Sequence, residues 1–255
     1  MRTPALILLC SLLPASAVAK DNDAAGLFDK PVKVAKVPLP ADPLNPSFKP
    51  TVSCFYFKDF AVKEINRGEV GAELSIVPIG GAGEAYKCRE AAAPGEIAVD
   101  GKEWGGYFSG VKGAYIFFRA DDGTNGGLGF AIFSPDGKKL FDDTAKGTQG
   151  PRAIDATPSG LAMRYTRVYQ AGCSLFADPA GCWAKVRQAT GLTQPSAPDC
   201  AASYKAEEKR MKGTPNQAKV AALPSVVDYE AVATLDAGQV KVSAAQGKVA
   251  CRLPD

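Results

Sequence analysis

Cysteine constrains this chain more than any other residue type. Cys54, Cys88, Cys173, Cys182, Cys200 and Cys251 remain once Cys10 is set aside with the N-terminal stretch, and an even set of six can pair without leaving an odd thiol. Met1–Ala19 reads as a secretory signal. It has Arg2 in a short basic start, an apolar run from Ala5 to Leu13, and Ala17-Val18-Ala19 as an A-x-A cleavage site before Lys20. Cysteines delivered to an oxidising space are expected as three disulfides. No C-x-x-C occurs and histidine is absent, so a zinc site would need four of the six thiolates, and neither a metal nor a cofactor is expected. The apolar run falls short of the roughly 20 residues that span a bilayer, and nothing later in the chain approaches that length. Cys10 follows Leu8-Leu9 inside the run, which fits simple cleavage at Ala19 better than lipid anchoring. The expected location is therefore the periplasm or the medium.

Chain order gives an expected pairing, although six cysteines allow about 15. Cys54 and Cys88 are the two in the N-terminal strand-rich part. Cys173 and Cys182 flank an eight-residue loop containing Pro179, a short closure. That leaves Cys200 to hold the C-terminal Cys251.

The expected fold is α+β, mainly antiparallel β as a sandwich or open barrel, with two short helices in the C-terminal part. Residues 20–50 carry Pro31, Pro38, Pro40, Pro43, Pro46 and Pro50, which forbid regular helix or a central strand and predict an extended arm. Residues 51–143 read as an antiparallel β domain. Val52–Phe57, Phe60–Ile65, Glu73–Val77, Gly113–Arg119 and Leu128–Phe133 are β-branched and aromatic runs separated by turns. Ser134-Pro135-Asp136-Gly137-Lys138-Lys139-Leu140 resembles the turn in blades of periplasmic β-propellers, but a propeller would repeat it about every 40 residues and here it occurs once, so it is read as hairpin chemistry. Residues 144–255 read as a smaller α+β unit. In Leu161–Tyr169, Met163, Tyr165, Arg167 and Tyr169 share one face, and arginine on both faces predicts a strand near an edge. Two helices follow, one closed by Gly191 and one capped at Ser196, and then the closing strands Val226–Thr234, Gln239–Val242 and Lys248–Arg252.

The missing histidine excludes Ser-His-Asp and Cys-His hydrolases and H-E-x-x-H metalloproteases. Removing the signal takes away Arg2 and no acid, leaving 29 basic against 27 acidic residues, and so near-neutral a total makes no electrostatic case for nucleic acid or an anionic membrane. Ser109-Gly110-Val111-Lys112 matches S-x-x-K at the rate chance supplies and lies among strand-formers rather than on a helix. Asp121-Asp122-Gly123-Thr124-Asn125-Gly126 is acidic enough for calcium, but the twelfth position of an EF-hand loop would fall on Ile132, and the residues suit a hairpin loop. Asp100, Glu103, Asp142 and Asp143 are the carboxylates a histidine-free glycosidase could use. Trp104, Tyr107 and Phe108 cluster around Gly105-Gly106, either as core and bend residues or as a contact surface. The expectation is a secreted, disulfide-stabilised, non-catalytic binding or envelope-associated protein, its partner a protein, peptide or envelope glycan and not a nucleic acid. The alternative is a histidine-free hydrolase, working through a carboxylate pair or a Ser-Lys pair.

Overall fold

A computed structural model describes residues 26–41, 43–80, 86–148 and 150–255, and the stretch Met1–Ala19, read from the sequence as an export signal, lies outside them. Strand accounts for 43% of the described residues and helix for 12%, and the sheets do not close into a barrel. The first sheet holds β1 (Lys33–Pro38), β2 (Thr51–Tyr56), β3 (Phe60–Asn66), β4 (Glu73–Pro78) and β5 (Ile97–Ala98), in spatial order β1-β2-β3-β4-β5. The proline-rich stretch thus supplies an edge strand. Pro38 ends it where no further partner needs its missing N–H, and Lys33–Pro38 pairs residue for residue with Tyr56–Thr51.

The second sheet begins with a meander of β6 (Tyr107–Lys112), β7 (Tyr115–Thr124), β8 (Gly127–Phe133) and β9 (Lys139–Lys146). It continues through β10 (Ala153–Thr157), β11 (Gly160–Gln170), β12 (Val226–Asp236), β13 (Gln239–Ala244) and β14 (Ala250–Arg252). Every paired strand in both sheets is antiparallel to its neighbour. The β7–β8 connection is a two-residue turn in which Asn125 (φ 53°) and Gly126 (φ 62°) both take positive φ, the backbone that Asn-Gly favours in a tight hairpin. The division between sheets falls between β5 and β6, and β9 joins β11 only through Arg167 opposite Ala145.

Apolar layers follow from alternation along the strands. Phe60, Val62, Leu74 and Ile76 of the first sheet meet Val111, Ile116, Phe118, Ala131 and Phe133 of the second, which makes these two surfaces a sandwich. The intervening residues Phe117, Phe130 and Ile132 point to the opposite face, into the core shared with the helices. This explains why Ile116–Phe118 and Phe130–Phe133 are continuous apolar runs in antiparallel strands, since both their faces are covered. Each such fully buried side chain contributes roughly 1.5–3 kcal/mol relative to exposure.

Helix α1 (Pro179–Thr190) is capped by Asp178, whose Oδ1 accepts the Gly181 N–H at 2.9 Å, and it ends at Gly191 in the left-handed region. Helix α2 (Ala201–Arg210) begins later than a Ser196 cap implies. Pro198 disfavours helical backbone at Ala197, and Asp199 Oδ1 accepts the Ala201 N–H at 2.7 Å instead. A single turn, α3 (Gln217–Val220), leads to β12. Trp183, Val186 and Tyr204 enter one core with Tyr165, Val227 and Tyr229 of β11 and β12.

Strand β11 is central, paired with β12 along its length and with β10 and β9 on its other side, and not near an edge. Arginine on both faces is tolerated for two separate reasons. Arg164 lies on the exposed face, and Arg167 is neutralised by Asp143 at 2.8 Å.

Three disulfides join Cys54 to Cys88, Cys173 to Cys182 and Cys200 to Cys251, with Cα separations of 5.7, 5.7 and 4.8 Å. They follow the order expected from the sequence and fit a protein that works in an oxidising space.

Candidate binding surface

The three aromatic residues singled out in the sequence do not form one patch. Tyr107 and Phe108 are successive residues of β6 and therefore point to opposite sides. Phe108 turns into the sandwich, its ring centroid 4.6 Å from Phe55, 6.4 Å from Phe57 and 6.3 Å from Phe118. Trp104 packs against the same layer and lies over Gly129; its indole Nε1 is buried without a hydrogen-bond partner among the described residues. Tyr107 instead carries the guanidinium of Arg119, directly opposite in the β6–β7 ladder, with Arg119 Cζ 4.7 Å from the ring centroid. Gly106 makes the approach to β7 close enough for this pairing, because a Cβ there would lie 1.9 Å from the Arg119 carbonyl oxygen.

Arg119 also opens a cavity of about 490 Å3 at the end of the second sheet, together with Asp121, Asp122, Leu128, Thr148 and Asp255. The β7–β8 register breaks between Arg119 and Gly123, and the bulge swings Asp121 and Asp122 out of the ladder. One oxygen of each is held locally: Asp121 Oδ1 accepts the Asp122 N–H at 3.0 Å, and Asp122 Oδ1 accepts the Gly123 N–H at 2.7 Å. The opposite wall is the C-terminus. Arg252 donates to the Asn125 carbonyl and pairs with buried Asp228 at 3.4 Å, while the Asp255 N–H donates to Asn125 Oδ1 at 3.2 Å. Lys146 completes the anchor, its Nζ 2.7 Å from Asp228. The result is a cleft lined by a guanidinium that rests on an aromatic ring, by the carboxylates of Asp121, Asp122 and Asp255, and by the apolar side chain of Leu128. Such a combination suits polar ligands that present several hydrogen-bonding groups. Among the described residues no three His, Cys, Asp or Glu side chains come together as a metal site, and the acidic loop carries the β7–β8 hairpin turn at Asn125-Gly126.

The catalytic candidates are dispersed. Ser109 is exposed at the β6 bulge, and Lys112 is held 3.5 Å from Asp29. Asp100 caps a turn, accepting the Lys102 N–H at 2.9 Å, and Glu103 closes that turn through its own N–H. Asp142 and Asp143 are neighbours on β9 and so face opposite ways: Asp142 is 3.4 Å from Lys139, while Asp143 is turned inward. There it accepts the Tyr165 hydroxyl at 2.5 Å and Arg167 Nε at 3.0 Å, and Arg167 Nη1 in turn donates to the Tyr229 hydroxyl at 3.0 Å. Burial first, and then the Asp143 charge, push the Tyr165 hydroxyl far above the ordinary tyrosine range. This network bridges β9 and β11 where their backbones share a single pairing, so its role is to close the seam.

Sequence reasoning missed Arg119 and Asp255, which become neighbours only through the sheet, and it missed a buried ion pair. Lys63 and Glu96, 3% and 9% exposed, meet at 2.5 Å beneath the segment that carries Cys88. Ser75 Oγ donates to Glu96 Oε1 at 2.6 Å, and the Ala93 N–H donates to Glu96 Oε2 at 2.7 Å. The signal was present as a lysine inside the β-branched run Phe60–Ile65.

No protein-family model, no curated protein and no solved structure matches this chain.

Proposed function

We propose that this is an exported binding protein of the periplasm or medium, stapled by its disulfides and without catalysis of its own, which holds a polar peptide or envelope glycan at the Arg119 cleft. The observation that supports this reading is the stacking of Arg119 on Tyr107 at the rim of a cavity faced by Asp121, Asp122 and Asp255. A planar guanidinium held on a ring loses little freedom on binding and recognises carboxylate or hydroxyl groups directionally. Signal removal would leave Lys20 as the first residue of the exported protein, a point that intact mass measures directly.

The test is a titration with soluble peptidoglycan fragments and with a mixed peptide library, read by Trp fluorescence and by heat. Wild type is expected to bind one of the two probes, and Tyr107→Ala or Arg119→Ala to weaken that binding about tenfold, the scale of a modest interface contact. Phe108→Ala serves as a core control, expected to lower stability instead. Binding unchanged in both rim variants would overturn the site. Turnover of either probe that disappears in Asp142→Asn, Asp143→Asn or Ser109→Ala would replace the binding reading with the hydrolase.

A further inference from the structure

Charge is unevenly placed. Of the chain's 30 basic and 27 acidic residues, Lys205, Lys209, Arg210, Lys212 and Lys219 face only Glu207 and Glu208 within residues 201–222, so the remaining chain carries 25 of each sign. The whole net positive charge therefore resides in one short stretch, helices α2 and α3 with the turn between them.

The structure places that charge outward. Tyr204 fixes the inner side of α2, fully buried, stacked on Phe176 at 4.8 Å and donating to the Leu223 carbonyl at 2.8 Å. The outer side, spaced as one helical face, is Ala202, Lys205, Ala206 and Lys209, with Lys212 on the turn that follows, and all five are exposed. Glu207 is not free to neutralise them, because both of its oxygens are taken by Arg210 at 2.6 and 2.7 Å. Glu208, half-buried, is the one acid of the stretch without an ion pair. Among the described residues, none of Lys205, Lys209, Lys212 and Lys219 makes an ion pair. The helix is also tied from beneath, since Cys200 at its start is bridged to Cys251 and Ser203 Oγ accepts the Leu253 N–H at 2.9 Å. The lysine face is thus held rigidly outward.

We infer that the α2–α3 face docks on the anionic phosphate surface of a lipid bilayer. Three features favour a membrane over a discrete ligand. The row is built from lysines, whose compact charges on flexible stems suit a diffuse phosphate layer, whereas the one arginine, which could make a two-pronged contact, is spent on Glu207. Beside Lys205 and Lys209 on this face stand the small side chains Ala202 and Ala206, and the half-buried Glu208, three residues after Lys205 and four before Lys212, flanks the row. Leu223, three residues beyond the end of α3, is 40% exposed and adds an apolar side chain to the stretch. The site is separate from the Arg119 cleft and does not depend on it.

The experiment is co-sedimentation of the full exported chain with vesicles of phosphatidylglycerol mixed with phosphatidylcholine, against vesicles of phosphatidylcholine alone. Each lysine near an anionic bilayer strengthens binding roughly fivefold, so the triple variant Lys205→Gln, Lys209→Gln, Lys212→Gln is expected to lose on the order of a hundredfold in vesicle affinity. Raising ionic strength from about 0.1 to about 1 M, which shortens the screening length from ~10 to ~3 Å, should abolish wild-type binding. A control variant, Lys58→Gln with Lys102→Gln, changes as many as two charges elsewhere and should bind as wild type does. Equal binding to neutral vesicles, absence of binding to anionic ones, or an unaffected triple variant would each overturn the inference. Tighter binding to a soluble anionic polysaccharide or to single-stranded DNA than to vesicles would also overturn it, assigning the face to a polyanion instead. The substitutions lie on an exposed face, and circular dichroism with a free-thiol count verifies that the triple variant keeps its helices and its disulfides.

Discussion

The two sheets are covered on their far sides by different materials. The nine-stranded sheet lies under α1 and α2, and the five-stranded sheet under the irregular segment from Tyr86 to Glu96. A helix satisfies its own backbone, so its contribution to the cover is apolar contact, made here by Trp183, Val186 and Tyr204, with covalent ties at Cys173–Cys182 and Cys200–Cys251. An irregular segment brings peptide groups with no ladder of their own, and the sheet beneath must answer them. Lys63 Nζ donates to the Glu90 carbonyl at 3.2 Å, Tyr56 donates to the Tyr86 carbonyl at 3.1 Å, and Glu96 accepts the Ala93 N–H. The buried lysine and glutamate are thus the consequence of a cover without secondary structure. Tyr86 reports the same environment, its hydroxyl pushed up to about 12 by burial and then by the Glu96 charge.

Covalent ties are the first place to break this comparison. Cys200–Cys251 spans 51 residues, Cys54–Cys88 spans 34 and Cys173–Cys182 spans 9. In the chain-entropy picture these closures stabilise by about 4, about 4 and about 3 kcal/mol. Paired Cys→Ala replacement at 200 and 251 is expected to lower unfolding free energy in urea by about 4 kcal/mol, and replacement at 173 and 182 by less. A larger loss from the short bridge would mean that local packing, not loop closure, ranks the three.

Next comes the buried pair. Lys63→Ala leaves Glu96 charged and uncompensated, and a loss of about 3 kcal/mol is expected. Replacing both partners, Lys63→Met with Glu96→Leu, should restore most of it. If the double variant is no better than the single one, the pair does more than neutralise the cover.

The smallest effect sharpens the contrast by pH. Two carboxylates of the first sheet are shifted in opposite directions. Burial works against ionised Glu96, but the hydrogen bonds from Lys63, Ser75 and Ala93 outweigh it and hold this carboxyl below its ordinary value. Its stabilisation is present above that ordinary value and is lost as pH falls through the depressed one. Glu64 lies on the opposite side of β3, where burial raises its carboxyl despite the Phe108 N–H at 2.8 Å and the charges of Arg119 and Lys36. Its contribution is full below the ordinary carboxylate value of about 4.3 and is lost as pH rises through the raised one. Glu64→Gln should therefore be more favourable relative to wild type at neutral pH than at acid pH, by less than about 1 kcal/mol. A stability difference that stays constant across the titration would show that Glu64 ionises as it does in the unfolded chain.

Much of the fold was legible because its signals are local. Asn125-Gly126 suits a tight hairpin, Gly191 ends α1, and alternating or continuous apolar runs mark the strands, whereas Pro179, expected in a loop, opens α1. The cleft was legible only in part. Tyr107 and the Asp121-Asp122 loop stood out as residue types, but Arg119 joins Tyr107 through cross-strand register, and Asp255 comes from the other end of the chain. The expected edge position of β11 failed for the same reason, because Asp143, which neutralises Arg167, lies 24 residues away in sequence.

The sequence by itself determined the six-cysteine framework, its pairing order, the antiparallel character and the two short helices, since each depends on counting, on spacing, or on the backbone preferences of a few adjacent residues. Tertiary structure alone decided which charges meet. A lysine inside a strand became a buried partner for Glu96, and Arg167 became the partner of Asp143 across the β9–β11 seam. Charges interact by distance in space and not by distance along the chain, so their sum can be read from composition while their arrangement exists only once the sheets have packed.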